Sequence, residues 1–208
     1  MKTKKNLTSY FNCFSIVSLG MFLLAGCQSA PDKTSAQPAP VVASTPPAPV
    51  PAVDNKQLVP PVRIKAGSTD GFKDSSGNAW LPDQGFIDGD TVERPEVTIT
   101  NTTDQRIYQS ERYSMSKFTE PLPNGKYIVK LHFCETYDGI TGPGQRVFSF
   151  NVAGHEFKDF DLWVKAGGAL RAYIETVPVE ITNGKLEITF TPNIENPQIN
   201  GLEILPAS

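Results

Sequence analysis

From Val62 onward the chain reads as short runs in which apolar and polar residues alternate. Tyr127, Val129, Leu131 and Phe133 fall on one side of a run whose other side holds Ile128, Lys130 and His132. Phe148, Phe150 and Val152 oppose Ser149 and Asn151; Leu186, Ile188 and Phe190 alternate with Lys185, Glu187 and Thr189; Leu202 and Ile204 flank Glu203. Side chains two apart on a strand share a face, so each run predicts a strand with one buried and one wetter side. Turn residues separate the runs at Pro123-Asn124-Gly125, Gly142-Pro143-Gly144 and Asn183-Gly184. No long stretch carries a 3.6-residue period, and the segment "SERYSMSKF" (Ser110–Phe118) is expected to form one short helical turn. Residues 62–208 are therefore expected to fold as one all-β domain, an antiparallel β-sandwich or jelly roll.

The amino-terminal pattern is different. Lys2, Lys4 and Lys5 precede the apolar run "CFSIVSLGMFLLAG", which ends at Gly26. The run is shorter than the roughly 20 apolar residues of a membrane-spanning helix and has the form of a secretory signal peptide over residues 1–26. Leu24-Ala25-Gly26-Cys27 resembles the lipobox of bacterial lipoproteins. That resemblance implies cleavage before Cys27, lipidation of its thiol and a lipid anchor in a membrane of the bacterial cell envelope. The alternative is an ordinary signal peptide with an incidental cysteine. Gln28 stands where an aspartate would favour retention at the inner membrane, which implies the outer membrane. Residues 27–61 are rich in Pro and Ala and almost uncharged. Proline removes backbone donors and fixes φ, so an extended linker is expected there.

Charge and cysteine usage narrow the partners. The whole chain carries a formal charge of −3; from Val62 onward 20 acidic residues face 14 lysines and arginines. An acidic domain argues against a nucleic-acid partner. Past residue 26 only Cys27 and Cys134 remain, and acylation of Cys27 would leave no intramolecular disulfide.

Reactive side chains crowd the stretch "LHFCETYDG" (Leu131–Gly139). Zinc needs several nitrogen or sulfur ligands at workable spacing, and His132 and His155, the two histidines, do not supply them; no cofactor is expected. Cys134 reads as a small buried residue before a nucleophile, because nothing beside it marks an oxyanion hole. Glu135 is expected to satisfy loop amides at the strand end, with a ligand contact as the alternative. Glycoside hydrolysis would need two carboxylates facing across a cleft. Glu135, Asp138, Asp159, Asp161 and Glu195 are candidates, but spacing places no two of them opposite each other. Trp80, Tyr108, Tyr113, Tyr137, Trp163 and Tyr173 lie mostly at strand ends or in loops. Such rings can cover the C–H faces of sugars while polar neighbours pair the hydroxyls.

From about Arg63 to Leu205 the order and spacing of "RIKAG", "IYQSERY", "YIVKLHFCETY", "GQRVFSFNVAGHEFKDFDL" and "ENPQINGLEIL" resemble a malectin domain, a carbohydrate-binding β-sandwich. The resemblance implies a malectin-like, lectin-like module that holds a glycan, such as a glucose-containing oligosaccharide, without catalysis. Tyr113 of "SERY" and Tyr137 of "ETY" match two of the family's binding tyrosines. Asp138 stands where the family lectin has phenylalanine, Glu195 of "ENP" takes the late acidic position, and Trp80 is the aromatic nearest the remaining tyrosine. Two rival expectations stand beside this one: an envelope protein that binds a protein partner or peptidoglycan, and an enzyme of the glycoside hydrolase type.

Overall fold

The computed structural model describes residues 58–207. The expected signal peptide and Cys27 lie outside the described residues, as does nearly all of the linker. Fourteen strands run in chain order: β1 Val62–Lys65, β2 Phe72–Lys73, β3 Ala79–Trp80, β4 Phe86–Ile87, β5 Asp90–Glu93, β6 Ser110–Tyr113, β7 Lys117–Pro121, β8 Gly125–Phe133, β9 Val147–Val152, β10 His155–Asp161, β11 Tyr173–Ile181, β12 Lys185–Ile194, β13 Gln198–Ile199 and β14 Gly201–Pro206. Among the described residues helix is confined to a 3₁₀ turn at Gln105–Tyr108 and one short α-helix, α1, at Leu162–Ala166.

Two antiparallel sheets face each other, one ordered β1-β14-β8-β11 and the other β10-β9-β12-β7-β4. The alternating positions meet between them. Val129, Leu131 and Phe133 of β8, Leu202 and Ile204 of β14, and Val177, Val179 and Ile181 of β11 pack against Phe148, Phe150 and Val152 of β9 and Leu186, Ile188 and Phe190 of β12. Phe133 is the centre of an aromatic cluster, with Phe148, Phe150 and Phe160 at 5.2–6.0 Å. Such pairs add to the burial term that dominates folding. Pro178, which cannot donate to a ladder, sits on β11 at the edge of its sheet, where no donor is needed.

A third layer covers the outward face of the first sheet. The β2–β3 hairpin and the 3₁₀ turn bring Trp80, Ile107, Tyr108, Ile99, Cys134 and Ala172 into a second, smaller cluster. His132, outward on β8, meets this layer: the Tyr108 hydroxyl lies 2.9 Å from its Nδ1, and Trp80 packs edge-on to the ring at 5.3 Å. His132 Nε2 is 2.9 Å from Glu203 Oε1, and Arg63 Nε donates to Glu203 Oε2 at 2.9 Å. Gly201 makes room for the layer, because a Cβ there would come within 3.0 Å of the Trp80 ring and 3.1 Å of Ile107.

Two expectations need correction. The segment "SERYSMSKF" is not helical: Ser110–Tyr113 is β6, held between β5 and β13, and the helical turn lies just upstream at Gln105–Tyr108. Pairing on both edges of β6 overrides the weak local preference. Trp80 is core: it is 3% exposed, its indole N–H donates to Asp74 Oδ2 at 3.0 Å, and it stacks on Phe72. It has no free face for a sugar, so it leaves the list of candidate binding residues.

Candidate functional site

The small sheet β13-β6-β5 stands at one end of the sandwich, where the loop after β8 and the turn after β12 also arrive. Its strand period decides what points where. Glu111 and Tyr113 share a face of β6, and Val92 of β5 sits opposite Glu111. These residues line a cleft of about 340 Å³ together with Arg94, Tyr137, Arg146, Glu195 and Asn196. That volume falls at the small end of the range for ligand pockets.

Two ion pairs with buried carboxylates support it. Glu111 is almost fully buried, and both its oxygens are used: Arg94 Nη1 is 3.1 Å from Oε1, and the Thr136 hydroxyl donates to Oε2 at 2.7 Å. Arg94 Nη1 also donates to Thr136 Oγ1 at 3.0 Å, which closes a three-membered network. Across the cleft, Glu135 is fully buried and accepts from Arg146 Nε at 2.7 Å and from the Tyr137 backbone N–H at 3.1 Å. Arg146 Nη1 donates to the Asn196 carbonyl. One buried pair thus joins the Tyr137 wall to the wall that carries Asn196 and Glu195. Burial pushes the Glu135 carboxyl up, and the Arg146 guanidinium pulls it back without cancelling the rise. The expected role of Glu135 in satisfying a loop amide is what the geometry shows, and its arginine partner is an addition.

Tyr113, Tyr137 and Glu195 meet in this cleft, although the sequence separates them by 24 and 58 residues. Tyr137 is 44% exposed. The hydroxyls of both tyrosines make no hydrogen bond among the described residues. Glu195 is exposed, holds a left-handed backbone at φ 58°, and accepts from its neighbour Asn196 at 3.2 Å. Non-glycine residues in that region cost energy and cluster at functional sites. Asp138 follows Tyr137 but is exposed and stands outside the cleft lining. It sits in the turn that the Ile140 N–H closes on the Tyr137 carbonyl.

Arg94, Glu111 and Arg146 were missed in the sequence. Glu111 and Arg146 are buried charges, and in the sequence a charge among polar residues looks the same whether it faces water or a buried partner. Of the other residues in the reactive stretch, Cys134 is fully buried. Burial, helped by the charges of Glu135 and Glu111, pushes its thiol up to about 12. Among the described residues no group of three His, Cys, Asp or Glu side chains could hold a metal ion.

Residues 61–202 match the malectin domain family. A probable leucine-rich repeat receptor-like serine/threonine-protein kinase of Arabidopsis thaliana is 34% identical over 139 residues, covering 58% of this chain and 14% of its own length. Malectin-B of Xenopus laevis is 32% identical over 124 residues, covering 51% of this chain and 44% of its own. The chain therefore spans less than half the length of either relative. Among solved structures, a β-glucuronidase of Bacteroides uniformis superposes with a TM-score of 0.64 at 20% identity, over 71% of this chain and 18% of that one. At that identity the likeness is one of fold.

Proposed function

Since the chain belongs to the malectin domain family, we propose that the cleft between Tyr113 and Tyr137 binds a carbohydrate without altering it. The observation that carries this reading is the convergence of two tyrosine rings, their hydroxyls unpartnered among the described residues, on one cleft lined by fixed donors and acceptors. Stacking on a flat ring suits the C–H face of a pyranose, and guanidinium and carboxylate groups suit its hydroxyl edge. Because Arg94 and Arg146 are already bonded to Glu111 and Glu135, they reach the ligand pre-oriented, which lowers the ordering cost of binding. Hydrolysis would need a carboxyl free to give a proton beside a second, facing one. Glu135 is fully buried, and Glu111 is closed off by Arg94 and Thr136, which favours binding over turnover. A glucose-containing oligosaccharide is the ligand class we propose, with the Glu195 carboxylate of the cleft lining accepting from one of its hydroxyls.

We further read Leu24-Ala25-Gly26-Cys27 as a lipidation signal, so that the mature chain is held at an envelope membrane through Cys27.

The test is a glycan array with the full-length chain, followed by calorimetric titration of the strongest ligand. Tyr113→Ala and Tyr137→Ala should each weaken it by about ten- to a hundredfold, the loss of an aromatic contact plus a polar partner. Their melting temperatures should stay close to that of the unaltered chain. Normal binding by both variants would move the site elsewhere.

A further inference from the structure

Tyr137 is the most exposed ring of the cleft, yet its place is set from below. A Cβ built on Gly139 would lie 2.5 Å from Cε1, 2.6 Å from Cζ and 2.8 Å from the hydroxyl oxygen of Tyr137, all well inside van der Waals contact. The ring therefore occupies the space that any side chain at position 139 would fill. The backbone does not ask for glycine here, because Gly139 is absent from the residues with positive φ. The turn is closed by the Ile140 N–H donating to the Tyr137 carbonyl at 3.1 Å, and the buried Ile140 side chain anchors it. At the other end the Tyr137 N–H donates to Glu135 Oε1, so the main chain is held on both sides while the phenol is left to be held by contact alone.

We propose that Gly139 is the seat of the Tyr137 ring, a positioning residue whose missing side chain fixes where the ring stands in the cleft. This rests on the carbohydrate reading above for what the ring does once placed. A stacking ring acts only if it lies where the sugar face will be, and a ring already held there loses less freedom when ligand arrives. A methyl at position 139 displaces the far end of an exposed side chain, which costs the fold little. It should therefore move the ring and spare the stability.

The experiment is a double-mutant cycle of Gly139→Ala and Tyr137→Ala in the full-length chain, read by calorimetric titration with maltose and by thermal melting. Gly139→Ala should weaken maltose by about tenfold, the scale of a lost aromatic contact, with an unchanged melting temperature. Because the two residues act through one ring, the double variant should bind no more weakly than Tyr137→Ala alone. Additive losses would mean that Gly139 acts on something else and would overturn the proposal. Normal binding by Gly139→Ala beside weakened Tyr137→Ala would overturn the seat and leave the carbohydrate reading standing. Normal binding by Tyr137→Ala would remove the ring from the site and the seat's role with it. If maltose does not bind the unaltered chain, or Gly139→Ala does not fold, a ligand-free measurement decides. A nuclear Overhauser contact between the Gly139 methylene and the Tyr137 Hε protons upholds the seat, and its absence rejects it.

Discussion

Glu120 lies on the buried face of β7 beside Phe118, with no hydrogen bond or ion pair among the described residues. Burial alone pushes its carboxyl up. A group whose folded value is raised favours the folded state while protonated, and that advantage is lost as pH rises through the folded value. Replacing the carboxylate with a neutral amide removes the penalty. Glu120→Gln should raise the melting temperature near pH 7 and lose that gain as pH falls from the raised folded value to the ordinary carboxylate value, below which both forms are neutral. A gain that does not vary with pH would mean the effect is packing and not charge. Cys134 makes a parallel point about access. With its thiol pushed up to about 12 and fully buried, it should react slowly with soluble thiol reagents at pH 8, and Cys134→Ala should cost about 1 kcal/mol without touching the cleft. Fast labelling of the native chain would restore it as a nucleophile.

The long alternating strands β8, β9, β12 and β14 were legible in the sequence because each packs one apolar face on the facing sheet, and a period of two is the direct imprint of that burial. The third layer was not legible. Its members pack on a sheet face that reads as polar, since Lys130, His132 and Glu203 alternate with the core residues there. What makes that face a second core is pairing: Tyr108 with His132, His132 with Glu203, and Glu203 with Arg63. Pairing leaves no periodic trace. Trp80 was misread for the same reason, since nothing local says that its indole meets Asp74 and its face Phe72. The cleft was half legible. Tyr113, Tyr137 and Glu195 came through the family pattern, whereas Arg94, Glu111 and Arg146 needed the fold to join β5, β6 and the loop after β8. The layer gives its own prediction. Tyr108→Phe keeps the ring but leaves His132 Nδ1 buried without its partner, which should cost about 1–3 kcal/mol. Glycan binding should persist, because Tyr108 faces the His132 layer and is absent from the cleft lining. Unchanged stability would mean that Nδ1 finds another partner.

At the scale of the whole molecule, anchoring and recognition should be separable. Every residue that lines the cleft falls between Val92 and Asn196, inside the family's span of 61–202, while the proposed anchor is Cys27. Among the described residues no helix is long and apolar enough to cross a membrane. If the chain is membrane-bound through its lipid, the attachment then depends on one thiol and the recognition on none of the same atoms. Acyl chains contribute membrane affinity in proportion to their buried methylenes, and stable anchoring needs more than one chain. Cys27→Ser removes the acceptor of the first transfer, so it should shift the protein from the detergent phase to the aqueous phase or stall its processing. The soluble fraction should still titrate with the array ligand at the affinity of the unaltered chain, because no cleft contact has changed. Mass spectrometry of the mature amino terminus checks the premise: an acylated cysteine at position 27 is expected. An unmodified terminus beginning at another residue would end the lipoprotein reading and leave the cleft as it stands. Loss of binding together with loss of the anchor would show instead that the membrane takes part in recognition.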